Sequence, residues 1–380
     1  MSEINFQSIF QTFHENPEGS FQEHETTKRI KSYLEQWDIP ILETGLHTGL
    51  VAQLQGDPSG PTICLRADID ALPVSEETDL DFRSQNGFMH ACGHDFHTTT
   101  LLAVSHVLKE QEKSLPGTIK LLFQAAEESS HGAEEVIASG VLKDVDAILG
   151  LHVSPSEAAG VLSFRSGPVT ASVDRFEIEI TGVGCHAAYP NEGIDPVVIA
   201  SNLVGALQTI VSRNVSPFEP AVLSITRITG GNTWNVIPMN AEMEGTVRTL
   251  SETVRTKIPK RMEAIAKGVA EGFGATADFR WFPGPPPTNN SDFWVEKAQT
   301  LANQLDFPFQ TTAPAMGGED FAFYQEDIEG LFFQVGVGSP YPLHHPKFQV
   351  DLEALETATT FYTELALLAL KTQAERRNQS

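Results

Sequence analysis

Four short apolar runs constrain this chain more than any other feature: Leu50 to Leu54, Thr62 to Arg66, Thr118 to Phe123 and Ala147 to Leu151. Helical stretches, Phe96 to Leu108 and Gly132 to Ala138, lie between them. Apolar strands alternating with helices predict an α/β fold with a largely parallel sheet covered on both faces. In such sheets ligands collect at strand ends. Three groups of polar residues fall there: the run Met89-His90-Ala91-Cys92-Gly93-His94-Asp95, the pair Glu127-Glu128, and His152 in Gly150-Leu151-His152-Val153.

Upstream, Ser20 followed by Glu23 reads as a capping box, with Ile30, Tyr33, Leu34 and Trp37 at helical spacing behind it. The pattern changes near Ser172. Arg175 to Thr181 alternates polar and apolar, as a half-exposed strand does, and a helix is expected over Pro196 to Val211. Strands at Ala221 to Ile228 and Ala241 to Arg248, a helix over Glu252 to Glu271 and a strand at Thr276 to Phe282 complete an α+β unit. The linker Pro283-Gly284-Pro285-Pro286-Pro287 closes it, and a last helix runs from Leu352 to Leu370. The expected organisation is a discontinuous domain, residues 1–173 and 285–380, carrying an insertion, residues 174–284. A chain of 380 residues suits two domains with cores that need no staples.

A thiol, imidazoles and a carboxylate pair at strand ends suit a divalent transition metal. Cys92 and His94 stand two apart in a glycine-containing turn and can face one point. Adjacent residues leaving a strand point different ways, so one of Glu127 and Glu128 can bind metal while the other serves as a general base. A rival is a Cys92 nucleophile with His94 as its base, which leaves Glu127, Glu128 and His152 unemployed. The formal charge of −25 argues against nucleic acid or an anionic membrane as partner. The basic stretch Lys371 to Arg377 reads as a solvated helix end. Cys64, Cys92 and Cys185 are too few and too scattered for a disulfide framework. No apolar run approaches the ~18 residues of a membrane helix. Met1-Ser2-Glu3-Ile4-Asn5 lacks the basic and apolar regions of a signal peptide, so a cytoplasmic enzyme is expected.

Several segments in order complete a pattern: His14 to Glu18, Arg66-Ala67-Asp68-Ile69-Asp70-Ala71-Leu72-Pro73, His90 to Asp95, Gln124 to Glu128, Gly150-Leu151-His152, Gly317-Gly318-Glu319-Asp320-Phe321 and Leu343-His344-His345-Pro346. Together they resemble the aminoacylase and carboxypeptidase-type metallohydrolase family. Its nearest branch is that of N-acyl-amino-acid amidohydrolases, hippurate hydrolases and auxin-conjugate hydrolases. The resemblance implies a catalytic α/β domain with an inserted lid and dimerisation domain, hence a homodimer or dimer-based oligomer. It also implies two divalent ions per chain (zinc, manganese, cobalt or nickel), held by Cys92, His94, Glu128, His152 and His344, with Cys92 bridging. His345 is the neighbouring alternative to His344.

Glu127 would be the general base, and Asp70, with Asp68 as a rival, the acidic residue behind the ligands. His186 matches a lid histidine that reaches the active site, often from the partner subunit, and stabilises the reacting carbonyl. Asn235 and Arg248 match residues that hold the substrate's carboxylate, and Gly318 stands in a substrate-binding segment where serine is common. The implied reaction cleaves an N-acyl amino acid to a carboxylate and a free amino acid through a metal-activated water. A dipeptidase or carboxypeptidase of the same family is the alternative. A non-catalytic binding protein is more distant, because binding alone needs no base beside Glu128. Ala125, Ser129-Ser130-His131, Cys185 and Thr233-Trp234 depart from the family pattern and bear on substrate preference.

Overall fold

Residues 4–377 are described by a computed structural model. Met1 to Glu3, on which the expectation about a signal peptide rests in part, lie outside them. Two helices, α1 (Phe6–Glu15) and α2 (His24–Gln36), precede β1 (Leu50–Gln55) and β2 (Thr62–Asp68). Then come α3 (His94–Glu110), β3 (Thr118–Gln124), α4 (Gly132–Ser139), β4 (Ala147–Ser154) and β5 (Leu162–Phe164). The next unit holds β6 (Asp174–Thr181), α5 (Pro196–Asn214), β7 (Ala221–Gly230), β8 (Asn240–Thr249), α6 (Glu252–Gly272) and β9 (Thr276–Pro283). The chain returns through α7 (Asp292–Gln304), β10 (Phe309–Thr311) and β11 (Gly330–Gly336) to α8 (Ala354–Arg377).

The first unit is α/β. Its seven-stranded sheet has the order β1-β3-β2-β4-β11-β5-β10. The central four strands run parallel, while β1 pairs antiparallel with β3, and β5 with β11. Every residue of β2 and β3 is buried, as strands covered on both faces require. The second unit is a four-stranded sheet of order β9-β6-β8-β7, antiparallel throughout. Phe176, Ile178 and Ile180, alternate residues of β6, face Leu203 and Leu207 of α5 and Ile258 and Met262 of α6 in one core. The compact units divide at Gly167/Pro168 and Thr288/Asn289. The linker and the change of periodicity place those borders a few residues inside, and Pro314–Glu319, expected within the returning segment 285–380, joins the second unit instead.

The capping box does not form. The Ser20 hydroxyl donates instead to Asp70 (2.7 Å), and the Glu23 carboxylate accepts from Thr48 Oγ1 (2.7 Å) and Ala126 N–H (2.8 Å). Glu18 takes over the helix start, accepting from the N–H groups of Glu25 (3.2 Å) and Thr26 (2.7 Å). A local motif loses to partners that only the fold brings near. His152 likewise sits inside β4 rather than at its end, because the strand continues to Ser154.

One buried cation ties the centre of the sheet to the returning chain. Arg66 on β2 donates to Asp68 (2.7 Å), Asp320 (2.8 Å) and Gln124 Oε1 on β3 (2.9 Å). Gln124 Nε2 and Ala133 N–H also donate to Asp320. Removing one partner of such a pair typically costs ~3–5 kcal/mol, since the other charge stays buried alone. Arg66→Met should therefore lower stability by that order, measured by urea unfolding. A loss below about 1 kcal/mol would mean that the carboxylates find other compensation.

Candidate metal centre

His94 is the first residue of α3 and follows Gly93, whose φ of 83° is left-handed. A Cβ on Gly93 would also lie 2.6 Å from Val153 Cγ2, so a glycine is needed there twice over. His94 Nδ1 lies 3.0 Å from the Asp70 carbonyl and 3.2 Å from its Oδ1. Both are acceptors, so Nδ1 carries a proton, and the neutral ring that a metal would need has its lone pair on Nε2. The same Asp70 carboxylate accepts from the N–H groups of Glu127 (3.2 Å) and Glu128 (3.0 Å). Asp68 is placed differently. It receives Arg66 and His97, and its Oδ2 lies 3.7 Å from His94 Nε2.

Glu127 and Glu128 open a tight turn after β3, preceded by Ala126 at a left-handed φ of 59°. His152 donates from Nδ1 to the Val153 carbonyl (2.8 Å), which leaves Nε2 3.5 Å from Cys92 Sγ. His344 also has a left-handed φ, 65°, pinned by its N–H to the Ala91 carbonyl (2.8 Å). Backbone of this kind costs of order 1–3 kcal/mol and marks positions over-determined by their surroundings. His344 Nε2 comes 3.5 Å from Glu128 Oε1. His345 stacks on Tyr341 instead and accepts from Lys347 N–H.

Two clusters result, Cys92–His94–His152 and Cys92–Glu128–His344, and within each the ligand atoms lie within 4.8 Å of one another. Cys92 belongs to both. Glu127 joins a third grouping with His94 and Glu128. The donors fit a cation on their own evidence. Among the described residues, His94 Nε2 and Glu128 Oε1 are buried without a hydrogen-bond partner, which a native core rarely tolerates unless an ion or water belongs there. Burial raises the Glu128 carboxyl to about 7 despite the nearby His94. Burial opposes charge on His94, yet Asp68, Asp70 and Glu128 push it up to about 10. The site holds more negative charge than its protons neutralise comfortably, and divalent cations would relieve that excess.

Cys92 speaks against the nucleophile reading. Burial, then Glu128, Glu127 and Asp68, hold its thiol well above the ordinary value, whereas a reactive cysteine needs a lowered one. The imidazole beside its sulfur is that of His152, not His94.

In the second unit, antiparallel pairing sets His186 against Val236, and Ala187 N–H donates to the Asn235 carbonyl (3.1 Å). His186 Nδ1 accepts from Ala188 N–H (3.0 Å), so its Nε2 carries the proton. Arg248 is half-buried, uses Nε on Thr246 (3.2 Å) and has no ion pair among the described residues. Gly318 packs beside it: a Cβ there would lie 3.7 Å from Arg248 Nη1 but 2.0 Å from Val173 Cγ2.

The model of Peptidase family M20/M25/M40 matches residues 64–368. The chain belongs to this family. An N-acetylcysteine deacetylase of Bacillus subtilis is 46% identical over 94% of this chain and 95% of its own length. Thermostable carboxypeptidase 2 of Saccharolobus solfataricus, 37% identical, shares 96% of this chain and 94% of its own. Among solved structures, a dinuclear metal-binding peptidase of the M20 family from Bacillus subtilis superposes with a TM-score of 0.89 at 43% identity, covering 97% of this chain and 98% of that one. The fold described above is thus that of an M20 hydrolase.

Sequence reasoning passes over the residues that brace the M20 site. His14 bridges Asp95 (2.7 Å) and Glu76 (3.0 Å), tying α1 and a long loop to the start of α3. Its one sequence signal is its place in the His14 to Glu18 segment. Burial disfavours its charge, but the two carboxylates outweigh that and raise it to about 9. A histidine whose value rises on folding from about 6.5 stabilises fully below that pH and loses the contribution as pH rises through about 9. Wild type should lose on the order of 3 kcal/mol across this interval relative to His14→Gln. Urea midpoints measured from pH 6 to 10 give the difference, and parallel profiles would reject the linkage.

Proposed function

We infer that the protein is a metal-dependent amidohydrolase that cleaves N-acyl amino acids to a carboxylate and a free amino acid. The observation carrying this reading is the pair of ligand clusters sharing Cys92, with a second glutamate, Glu127, beside them. Cys92, His94, Glu128, His152 and His344 would hold two divalent ions, zinc, manganese, cobalt or nickel. Such ions polarise a carbonyl and acidify water when bound. Glu127 accepts the proton of the attacking water at its carboxylate and returns it to the departing amine. Asp70 fixes His94 and the main chain of both glutamates, so the base and the ligands keep one spacing.

The substrate's free carboxylate is assigned to Arg248 and Asn235. A half-buried guanidinium without an ion pair is an electrostatic vacancy that a carboxylate fills with two parallel hydrogen bonds. Gly318 leaves that fork uncovered. His186, protonated at Nε2, donates to the developing oxyanion. A homodimer through the second unit is supported by β7, an edge strand with Val222 and Ile228 exposed, and by Val197 and Val198 on α5. No helix among the described residues is long and apolar enough to cross a membrane. A reducing, cytoplasmic setting suits the free thiol of Cys92. The carboxypeptidase reading keeps weight from the Saccharolobus relative.

Reconstituted, active protein should hold two ions per chain by elemental analysis, and one or none would refute the assignment. Cys92→Ser should lose metal and activity together. Glu127→Gln should keep both ions while turnover falls ~10²- to 10⁴-fold; equal metal loss in Glu127→Gln and Glu128→Gln would reverse the roles of the pair. N-acetyl amino acids should be hydrolysed in preference to dipeptides, and the opposite order would favour the peptidase. Arg248→Ala should erase the preference for free-acid over amide-blocked substrates.

A further inference from the structure

Pairing between β2 and β4 stops at Arg66↔Gly150, although β2 runs on to Asp68 and β4 to Ser154. The two strands part, and main-chain groups of β4 lose their sheet partner on that side. The Ser154 carbonyl is taken from the β11 side by Val337 N–H (3.0 Å), so Val153, one residue back, turns both its groups toward the gap. His97, three residues after His94 and hence on the same face of α3, fills that gap. Val153 N–H donates to His97 Nε2 (2.9 Å), which leaves the ring only one neutral tautomer. The remaining proton sits on Nδ1 and is donated to Asp68 Oδ1 (2.6 Å).

The other main-chain group of Val153, its carbonyl, accepts His152 Nδ1 (2.8 Å) and thereby points His152 Nε2 at Cys92. The His97 ring centre is 4.8 Å from that of His152 and 5.4 Å from that of His94. Asp68, His94 and His97 lie close enough to suggest an ion site of their own. Yet His97 accepts at Nε2 and carries its proton at Nδ1, so neither nitrogen has a lone pair to offer a metal.

We propose that His97 is a positioning residue for the Cys92–His94–His152 cluster, holding Val153 so that its carbonyl aims His152, and turning the Asp68 carboxylate toward His94. The assignment rests on the reading that this cluster holds an ion. It predicts an asymmetry: the ion at Cys92–His94–His152 depends on His97, and the ion at Cys92–Glu128–His344 does not.

The test titrates metal-free protein with Zn²⁺ against a chromophoric chelator, for wild type, His97→Phe and His97→Gln. Wild type should take up two ions. His97→Phe keeps a ring but neither hydrogen bond, and one of its two affinities should fall ~10- to 100-fold, the usual cost of losing a partner behind a ligand. His97→Gln, whose amide oxygen can accept from Val153 N–H, should recover most of that loss. Circular dichroism and melting of the metal-free variants check folding. Should His97→Phe fail to fold, His97→Asn, which can keep the Asp68 bond but is too short for Val153, takes its place. Unchanged affinities, equal weakening of both ions, or no recovery in His97→Gln would overturn the proposal. A wild-type chain that takes up no ion would instead overturn the functional reading and this proposal with it.

Discussion

Carboxylates withdrawn from water must be neutralised or fully hydrogen-bonded, and the centre of this chain buries several. Asp68, Asp70 and Asp320 are wholly buried, and Glu127 nearly so. Arg66 answers for Asp68 and Asp320. Asp70 is answered by four hydrogen-bond donors: Ser20, His94 and the main chain of Glu127 and Glu128. Glu128 is left with a buried oxygen that no described residue satisfies. Negative charge in excess of the available protein cations is costly unless something else supplies positive charge. Much of the site geometry follows from that imbalance: a histidine proton turned to Asp70, a second turned to the Val153 carbonyl, and lone pairs turned inward.

Much of this was legible in the chain itself. Apolar runs announced strands covered on both faces, and polar groups next to them announced a site, because a parallel sheet gathers its strand ends on one edge. Cys92, His94, Glu128, His152 and His344 do converge, although His344 is far away in sequence and only the family resemblance nominated it. What escaped was every interaction whose partner is remote. Ser20 and Glu23 satisfy a local capping rule on paper, yet their oxygens serve Asp70, Thr48 and Ala126. His14 and His97 look like ordinary helix residues until the strands and carboxylates they touch are in place. The spacing of His94 and His97 was visible, but one helix face gives no hint that β2 and β4 separate there.

The second unit was easier to outline than to bound. Its alternating strands and long helices mark it clearly, while Pro314–Glu319 overlaps the Gly317 to Phe321 motif without any sign of which unit it joins. Gly318 shows why that segment matters. It has no side chain to contribute, and its worth lies in room left for Val173 and Arg248. A residue whose role is the absence of atoms leaves little trace in periodicity or charge.

The sheet order has a consequence for how the chain comes into being. β11 pairs with β4 from Ile148↔Gly330 onward, so all of the second unit is synthesised between two neighbours of one sheet. That unit can collapse on the ribosome from contacts within itself, as domains do in N-to-C order. The larger sheet cannot close until Gly330–Gly336 has been made. His344 emerges later still, after β11. Cys92, His94, Glu128 and His152 must therefore wait, exposed or shielded by nascent structure, for a ligand translated long after them. Ion capture by the complete set follows the emergence of His344, and a ribosome that stops short of β11 would release a product with its sheet broken and its carboxylates unanswered.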